Sequence, residues 1–253
     1  METAQTEKFD LPCRKPQLNS SDHLLEIGGG WGGFAVHAAR NYGCRITSIT
    51  ISQEQLKYAQ EMPGQGALQS DRVSPTDYRQ VTGKFDKIVS IEMLRQWEMN
   101  ISTAISENAT NCLKKTGLAI QVITRPASRY ESHRRMSTGC RSTSFRGCRL
   151  SIGIMNKAIN ATGDLQLHNL EEMGHHYVRT LASWREKLQP QTGRGSEAGF
   201  QRTIIRKWNY YLTSCEAAFS TRNITVVQAV FTRPNNLVSD TVGDPLRQRR
   251  RRK

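Results

Sequence analysis

His23-Leu24-Leu25-Glu26-Ile27-Gly28-Gly29-Gly30-Trp31-Gly32-Gly33 decides how this chain folds. A short apolar run holding one carboxylate ends in a cluster of glycines, and a helical pattern follows at once. The stretch reads as a buried strand, a turn needing positive φ or no Cβ, and a helix N-terminus. Such a turn lets a ligand approach the backbone closely. A glycine-rich turn alone is weak evidence, because tight turns carry glycine for steric reasons too, so its context has to be read.

Working outward, the pattern predicts a helix over 34–41 and then Arg45-Ile46-Thr47-Ser48-Ile49-Thr50, an alternating β-branched second strand. In the dinucleotide fingerprint that strand would end in an Asp or Glu for a ribose. Here it ends in Thr50-Ile51-Ser52-Gln53-Glu54-Gln55, where Ser52 is a candidate N-cap and Gln55 the third-position partner of a capping box. Thr76-Asp77-Tyr78-Arg79 marks a further loop, and Phe85-Asp86-Lys87-Ile88-Val89-Ser90-Ile91 a further strand. Just before that loop, Arg72-Val73-Ser74-Pro75 is shorter than a full third strand, and Pro75 cannot donate to a ladder. Strands alternating with helices imply a parallel sheet with its ligand at the carboxyl ends of the strands. The ligand is read as a nucleoside; spacing does not say which.

These segments carry a specific resemblance. Residues 24–44, Thr50-Ile51-Ser52-x-x-Gln55, Asp77-Tyr78-Arg79 and Phe85 through Met93 resemble the cyclopropane-fatty-acyl-phospholipid synthase family of S-adenosylmethionine-dependent methyltransferases. So do Gly174-His175-His176-Tyr177-Val178-Arg179-Thr180-Leu181-x-x-Trp184-Arg185 and Trp208-x-x-Tyr211-Leu212-x-x-Cys215-Glu216-x-x-Phe219. The likeness spans about Leu24 to Phe231. It implies an α/β fold with a seven-stranded, mostly parallel sheet and helices on both faces. It implies a methyltransferase domain over 21–235, with a helical substrate-side insertion over 126–199, a helix over 201–219 and a last strand over 224–231. Residues 1–20 are expected to be disordered or a partial lead, and 236–253 a disordered basic tail.

The resemblance also implies chemistry. S-adenosylmethionine would give its methyl to the π-bond of an unsaturated phospholipid acyl chain, and a bound bicarbonate would take up the proton released. For the cofactor it implies Glu26, Gly28, Gly29, Gly30, Trp31 and Gly32 as the methionine and ribose turn. Thr50, Ile51, Ser52 and Gln55 would form the loop under ribose and adenine, and Asp77 and Tyr78 the adenine edge. For catalysis it implies Tyr177, closing over the anion, together with Gln121 and Cys215. Tyr177 can equally be a half-buried core tyrosine, and Cys215 a buried thiol, inert without an activating base.

Several positions depart from the family pattern. The anion-binding carboxylate, three residues beyond Glu92, falls on Arg95, and Gln96-Trp97-Glu98-Met99 replaces a glycine-containing loop. Gly29 stands where cysteine is common. The 136–147 segment is polar where relatives are aromatic, and only a short lead precedes Leu24, which predicts a cofactor open to water. On these grounds turnover is expected to be weak or absent. Two function classes follow: a methyltransferase acting on lipid acyl chains, and a non-catalytic relative that binds the cofactor or lipid.

Charge and composition bound the partners. The net charge is +14, and Arg247-Gln248-Arg249-Arg250-Arg251-Arg252-Lys253 supplies much of it. A basic protein modifying phospholipid is expected to touch an anionic membrane surface peripherally, where each nearby Lys or Arg contributes about 1 kcal/mol. Nucleic acid is disfavoured, because no platform of stacking aromatics accompanies the charge. No apolar run reaches the roughly 18 residues of a spanning helix, nor does 1–16 read as a signal peptide. The cysteines (13, 44, 112, 140, 148 and 215) lack metal-ligand spacing, so reduced thiols, no metal and a cytoplasmic location are expected. A homodimer is one assembly this reading allows.

Overall fold

The computed structural model describes residues 2–61, 73–93, 107–130, 150–188 and 198–236. Arg95, the 136–147 segment, Cys140, Cys148 and the tail from 237 onward lie outside the described residues. In chain order the elements are α1 (Glu2–Arg14), β1 (His23–Ile27), α2 (Gly33–Tyr42), β2 (Arg45–Ile49), α3 (Gln53–Glu61), β3 (Val73–Ser74) and β4 (Phe85–Ile91). Then come β5 (Leu113–Thr124), α4 (Ile152–Asn160), β6 (Gln166–Glu172), α5 (Gly174–Leu188), α6 (Ala198–Ser220) and β7 (Thr225–Thr232).

The seven strands among the described residues form one sheet in the order β3-β2-β1-β4-β5-β7-β6. β3, β2, β1, β4 and β5 pair in parallel, and β7 runs antiparallel between β5 and β6. The expected seven-stranded, mostly parallel sheet is therefore present. The chain winds outward from β1 through β2 to β3, then returns to β4 on the other side of β1. Strand order reverses between β1 and β4, and open α/β sheets bind ligands at the carboxyl ends of such a pair.

Alternation along the strands divides the core between the two faces. Leu25, Ile27, Ile88, Leu118, Ile120, Val227 and Phe231 meet Met155 and Ile159 of α4 on one face. Leu24, Ile46, Val89, Ala119 and Val230 meet Phe34, Ala35 and Ala38 of α2, with Cys13 of α1, on the other. Full burial of a large apolar side chain contributes about 1.5–3 kcal/mol, so these two clusters bind α2 and α4 to opposite sides of the sheet.

Two stretches differ from what the sequence suggests. Residues 2–14 form a helix, α1, whose Phe9 packs edge-on against Phe34 at 5.9 Å between ring centroids. Its polar pattern hides this, because only Pro12 and Cys13 of α1 are fully buried. The 126–199 span, expected to be helical, contains β6 as well as α4 and α5, so the helical reading is corrected at Gln166–Glu172. β6 is an edge strand exposed at every position, and its charged and amide residues suit an edge that must not recruit another strand. Without an apolar alternation of its own, it is a strand because β7 templates it.

Lys87, in the middle of β4, is only 3% exposed. Its Nζ donates to Asp22 Oδ2 at 2.5 Å and to the Gln17 carbonyl at 3.0 Å. The loop between α1 and β1 is thus fastened beneath the sheet, at the end remote from the glycine turn.

Candidate active site

The glycine turn forms at the carboxyl end of β1. Gly28, Gly30 and Gly32 have φ of 85°, 55° and 84°, a region that side chains with a Cβ adopt at a cost. The Gly28 and Gly29 N–H groups both donate to the Ile49 carbonyl, at 3.0 and 2.9 Å, tying the turn to β2. Gly29 has a different need: a Cβ there would lie 2.0 Å from Ser48 Oγ. A Cβ on Gly30 would meet no protein atom within 4 Å. It would point into open space on the ligand side.

That space is a cavity of about 450 Å³, within the roughly 300–1,000 Å³ usual for small-molecule sites. Its wall includes Gly28 and Gly30 after β1, Thr50, Ile51 and Gln55 after β2, Asp77 and Tyr78 after β3, and Glu92 and Met93 after β4. Four strand ends thus converge on one crevice. Among the residues expected to hold cofactor, Glu26, Gly29, Trp31, Gly32 and Ser52 stand behind or beside this wall. Trp31 is 55% exposed and packs edge-on against Tyr58 at 5.1 Å.

Glu26 lies directly under the turn, 2% exposed, and accepts a hydrogen bond from Ser48 Oγ at 2.7 Å. Burial pushes its carboxyl up to about 7, against the pull of that hydrogen bond. In the β2 loop, Ser52 Oγ caps α3 by accepting from the Gln55 N–H at 3.3 Å. The return arm of the expected capping box is replaced: Thr50 Oγ1 accepts from the Ser52 N–H at 3.2 Å and donates to Gln55 Oε1 at 3.0 Å. Asp77 caps the 3-10 turn Tyr78–Gln80 through the Arg79 N–H and also holds the Arg79 guanidinium. The Arg79 hydrogen bonds lower the Asp77 carboxyl from its ordinary range, so it remains charged at the cavity edge.

Gln121 of β5 is 1% exposed and joins one expected position, Tyr177, to Glu92. Its Nε2 donates to Glu92 Oε1 at 3.1 Å and to the Tyr177 hydroxyl at 3.2 Å. Tyr177 lies at the start of α5, its ring 5.3 Å from that of Phe219 on α6. Cys215 packs with Met173, Leu181, Leu212, Phe219, Ile224 and Val226 between α5, α6 and β7, and Tyr177 packs against the same cluster. Sequence reading assigned no role to Glu92 or Met93. Their signal is positional, as the residues immediately beyond the carboxyl end of β4.

The cavity fits S-adenosylmethionine on three counts. The glycine cradle leaves room for a ligand above Gly30, the strand-end loops carry polar groups toward a ribose and a base, and a buried carboxylate underlies the turn. Sheet order, glycine turn and strand-end crevice together define the S-adenosylmethionine-dependent methyltransferase class. The mycolic acid cyclopropane synthetase family model matches residues 1–229, and the chain belongs to that family.

Individual relatives agree. The chain is 30% identical to a probable fatty acid methyltransferase of Pseudomonas putida over 243 residues, covering 92% of this chain and 60% of that one. It is 28% identical over 239 residues to the cyclopropane-fatty-acyl-phospholipid synthase of Escherichia coli K12, covering 92% and 59%. The chain thus spans about 60% of the length of these relatives. The cyclopropane synthase MmaA2 of Mycobacterium tuberculosis superposes with a TM-score of 0.79 at 25% identity, covering 92% of this chain and 85% of that one. Mycolic acid cyclopropane synthase CmaA1 complexed with SAH and CTAB gives 0.78 at 25% identity, with the same coverages.

Proposed function

We propose that this chain binds S-adenosylmethionine in the β1–β4 crevice and directs its methyl group to an unsaturated acyl chain of a phospholipid. The single observation that carries this reading is the crevice itself, where Gly28, Gly30, Thr50, Gln55, Asp77 and Glu92 meet around one cavity. Family membership and the acyl-modifying names of the relatives support the substrate class. The cofactor supplies an electrophilic methyl on a sulfonium.

The chain's own residues do the rest. The open face of Gly30 admits the cofactor's methionine and ribose portion, with Gly29, Trp31 and Gly32 shaping the turn and Glu26 balancing positive charge from below. Thr50 and Gln55 present their hydroxyl and amide to the ribose, with Ile51 and Ser52 holding the loop. Asp77 accepts from the adenine amino group, and Tyr78 flanks the base. The Tyr177 hydroxyl, held by Gln121, faces the reacting end. Cys215 supports the α5–α6 wall of the acyl side rather than acting as a nucleophile. The resemblance implies a bound bicarbonate ion as the proton acceptor.

We read residues 21–235 as the methyltransferase domain, with the tail as a basic extension. Peripheral contact with an anionic bilayer is supported by α6, whose Ile204, Trp208 and Tyr210 are exposed beside Arg206 and Lys207. Aromatic and basic residues sharing an exposed helix suit the headgroup boundary. Among the described residues no helix is long and apolar enough to cross a membrane.

The test is a lipid extract incubated with methyl-labelled cofactor and the purified chain. Label in the acyl fraction supports the reading; label confined to headgroups or to water-soluble amines contradicts it.

A further inference from the structure

We propose that Glu92 is the proton acceptor of this site, a carboxylate built into the chain where a diffusible anion would otherwise sit. The proposal rests on the acyl methyl-transfer reading above and adds a catalytic residue to it.

Three observations converge on Glu92. It follows β4 directly and lines the cavity beside Gly28 and Met93. Its φ is 58°, a left-handed conformation uncommon for a residue with a side chain. Such conformations persist where the surroundings enforce them, and they gather at functional sites. Here the enforcing contact is the Glu92 N–H, which donates to the Gln121 carbonyl at 2.9 Å.

The side chain is oriented by a directional chain of donors. Lys15 Nζ donates to Gln228 Oε1 at 3.3 Å, and Gln228 Nε2 donates to Gln121 Oε1 at 2.9 Å. With its oxygen so committed, Gln121 turns both amide hydrogens outward, one to Glu92 Oε1 at 3.1 Å and one to the Tyr177 hydroxyl at 3.2 Å. Successive donors polarise one another, and the chain ends on a carboxylate at the cavity wall. Such a carboxylate is held as an acceptor. Burial disfavours the charged form of Lys8 on α1, and its attraction to Glu92 works against that.

A free anion at this place would need the Gln121 amide hydrogens, and Glu92 and Tyr177 already take them. The step is a proton transfer. Once methyl transfer has left a cation on the acyl chain, Glu92 takes a proton from the carbon just added. The electron pair of that C–H bond forms the new C–C bond that closes the ring, and Glu92 becomes a neutral carboxyl. The positive charge brought in by the sulfonium is thereby discharged as the proton on Glu92.

The experiment compares the unmodified chain with Glu92→Gly, which suits the left-handed backbone, and with the near-isosteric Glu92→Gln. Three readouts are taken: SAH affinity by calorimetry, broadening of the ¹³C resonance of labelled bicarbonate, and label transfer to phospholipid with bicarbonate removed or formate added. The expected result is measurable SAH binding by all three proteins, with turnover lowered about 100-fold or more in both variants, as for loss of a general base. Formate should restore part of the turnover in Glu92→Gly, and the bicarbonate resonance should broaden with that variant but not with the unmodified chain. Undiminished turnover in both variants would overturn the proposal. So would a bicarbonate requirement, with matching broadening, in the unmodified chain. No transfer by the unmodified chain would instead sink the acyl-transfer reading, and the resonance would then decide whether Glu92 fills the anion's place.

Discussion

Ser48 Oγ on β2 donates to Glu26 Oε2 on β1 at 2.7 Å, directly beneath Gly29. This pair links the glycine turn to its neighbouring strand and fills the room that any side chain at position 29 would need. A cysteine there could not coexist with this serine in its present position.

Gly29→Ala is therefore expected to destabilise the fold, since the added Cβ would lie 2.0 Å from Ser48 Oγ. Overpacking of this kind costs about 1–3 kcal/mol. Combining it with Ser48→Ala should recover part of the loss, and urea midpoints of the single and double variants measure the coupling. Simple addition of the two effects would refute the steric account.

Glu26 makes stability depend on pH. Its folded value of about 7 lies above the ordinary 4.5, so between those values the folded state holds more protons than the unfolded state. Stability from this group is full below pH 4.5 and is lost as pH rises through about 7, a difference of about 3 kcal/mol. Glu26→Gln should be the more stable protein at about pH 8 and nearly equal to the unmodified chain at about pH 4. Parallel urea curves at both pH values would contradict the burial argument.

The Asp22–Lys87 pair should behave as a buried ion pair does. Asp22→Ala leaves Lys87 Nζ, on a side chain 4% exposed, without its carboxylate, and breaking such pairs costs about 3–5 kcal/mol. Because the pair lies at the sheet end away from the cavity, SAH affinity of the folded fraction should be unchanged. Thermal unfolding and calorimetry on one preparation separate the two effects.

Cofactor binding should depend on the open face of the turn. Gly30→Val places a branched side chain at φ 55° and into the cavity, and should abolish measurable S-adenosylmethionine binding. Asp77→Ala removes both the proposed adenine acceptor and the cap of the turn Tyr78–Gln80, and should weaken binding about tenfold, equivalent to about 1.4 kcal/mol. Calorimetry that found unchanged affinity in Gly30→Val would place the ligand elsewhere.

Much of this architecture was legible in the sequence because local signals and tertiary environment agree. The apolar runs of β1 and β4 are buried between two helix layers, and the glycines at 28, 30 and 32 all carry positive φ. Ser52 was legible as a cap for the same reason. β6 was not, since its residues are polar almost throughout and β7 alone makes them a strand. Nor was α1, whose docking depends on Phe9, Pro12 and Cys13 among polar neighbours. Glu92 was hidden most deeply: its meaning lies in a backbone twist and in Gln121, a residue 29 positions away along the chain.

The most direct test of the central claim is methyl transfer to matched vesicles. Phosphatidylglycerol with unsaturated chains and its saturated counterpart are each incubated with the purified chain and methyl-labelled S-adenosylmethionine, and the acyl chains are analysed by mass spectrometry. The account expects one added, labelled carbon on the unsaturated chains and none on the saturated ones. A folded protein that binds the cofactor yet labels neither lipid, or labels both alike, would contradict it.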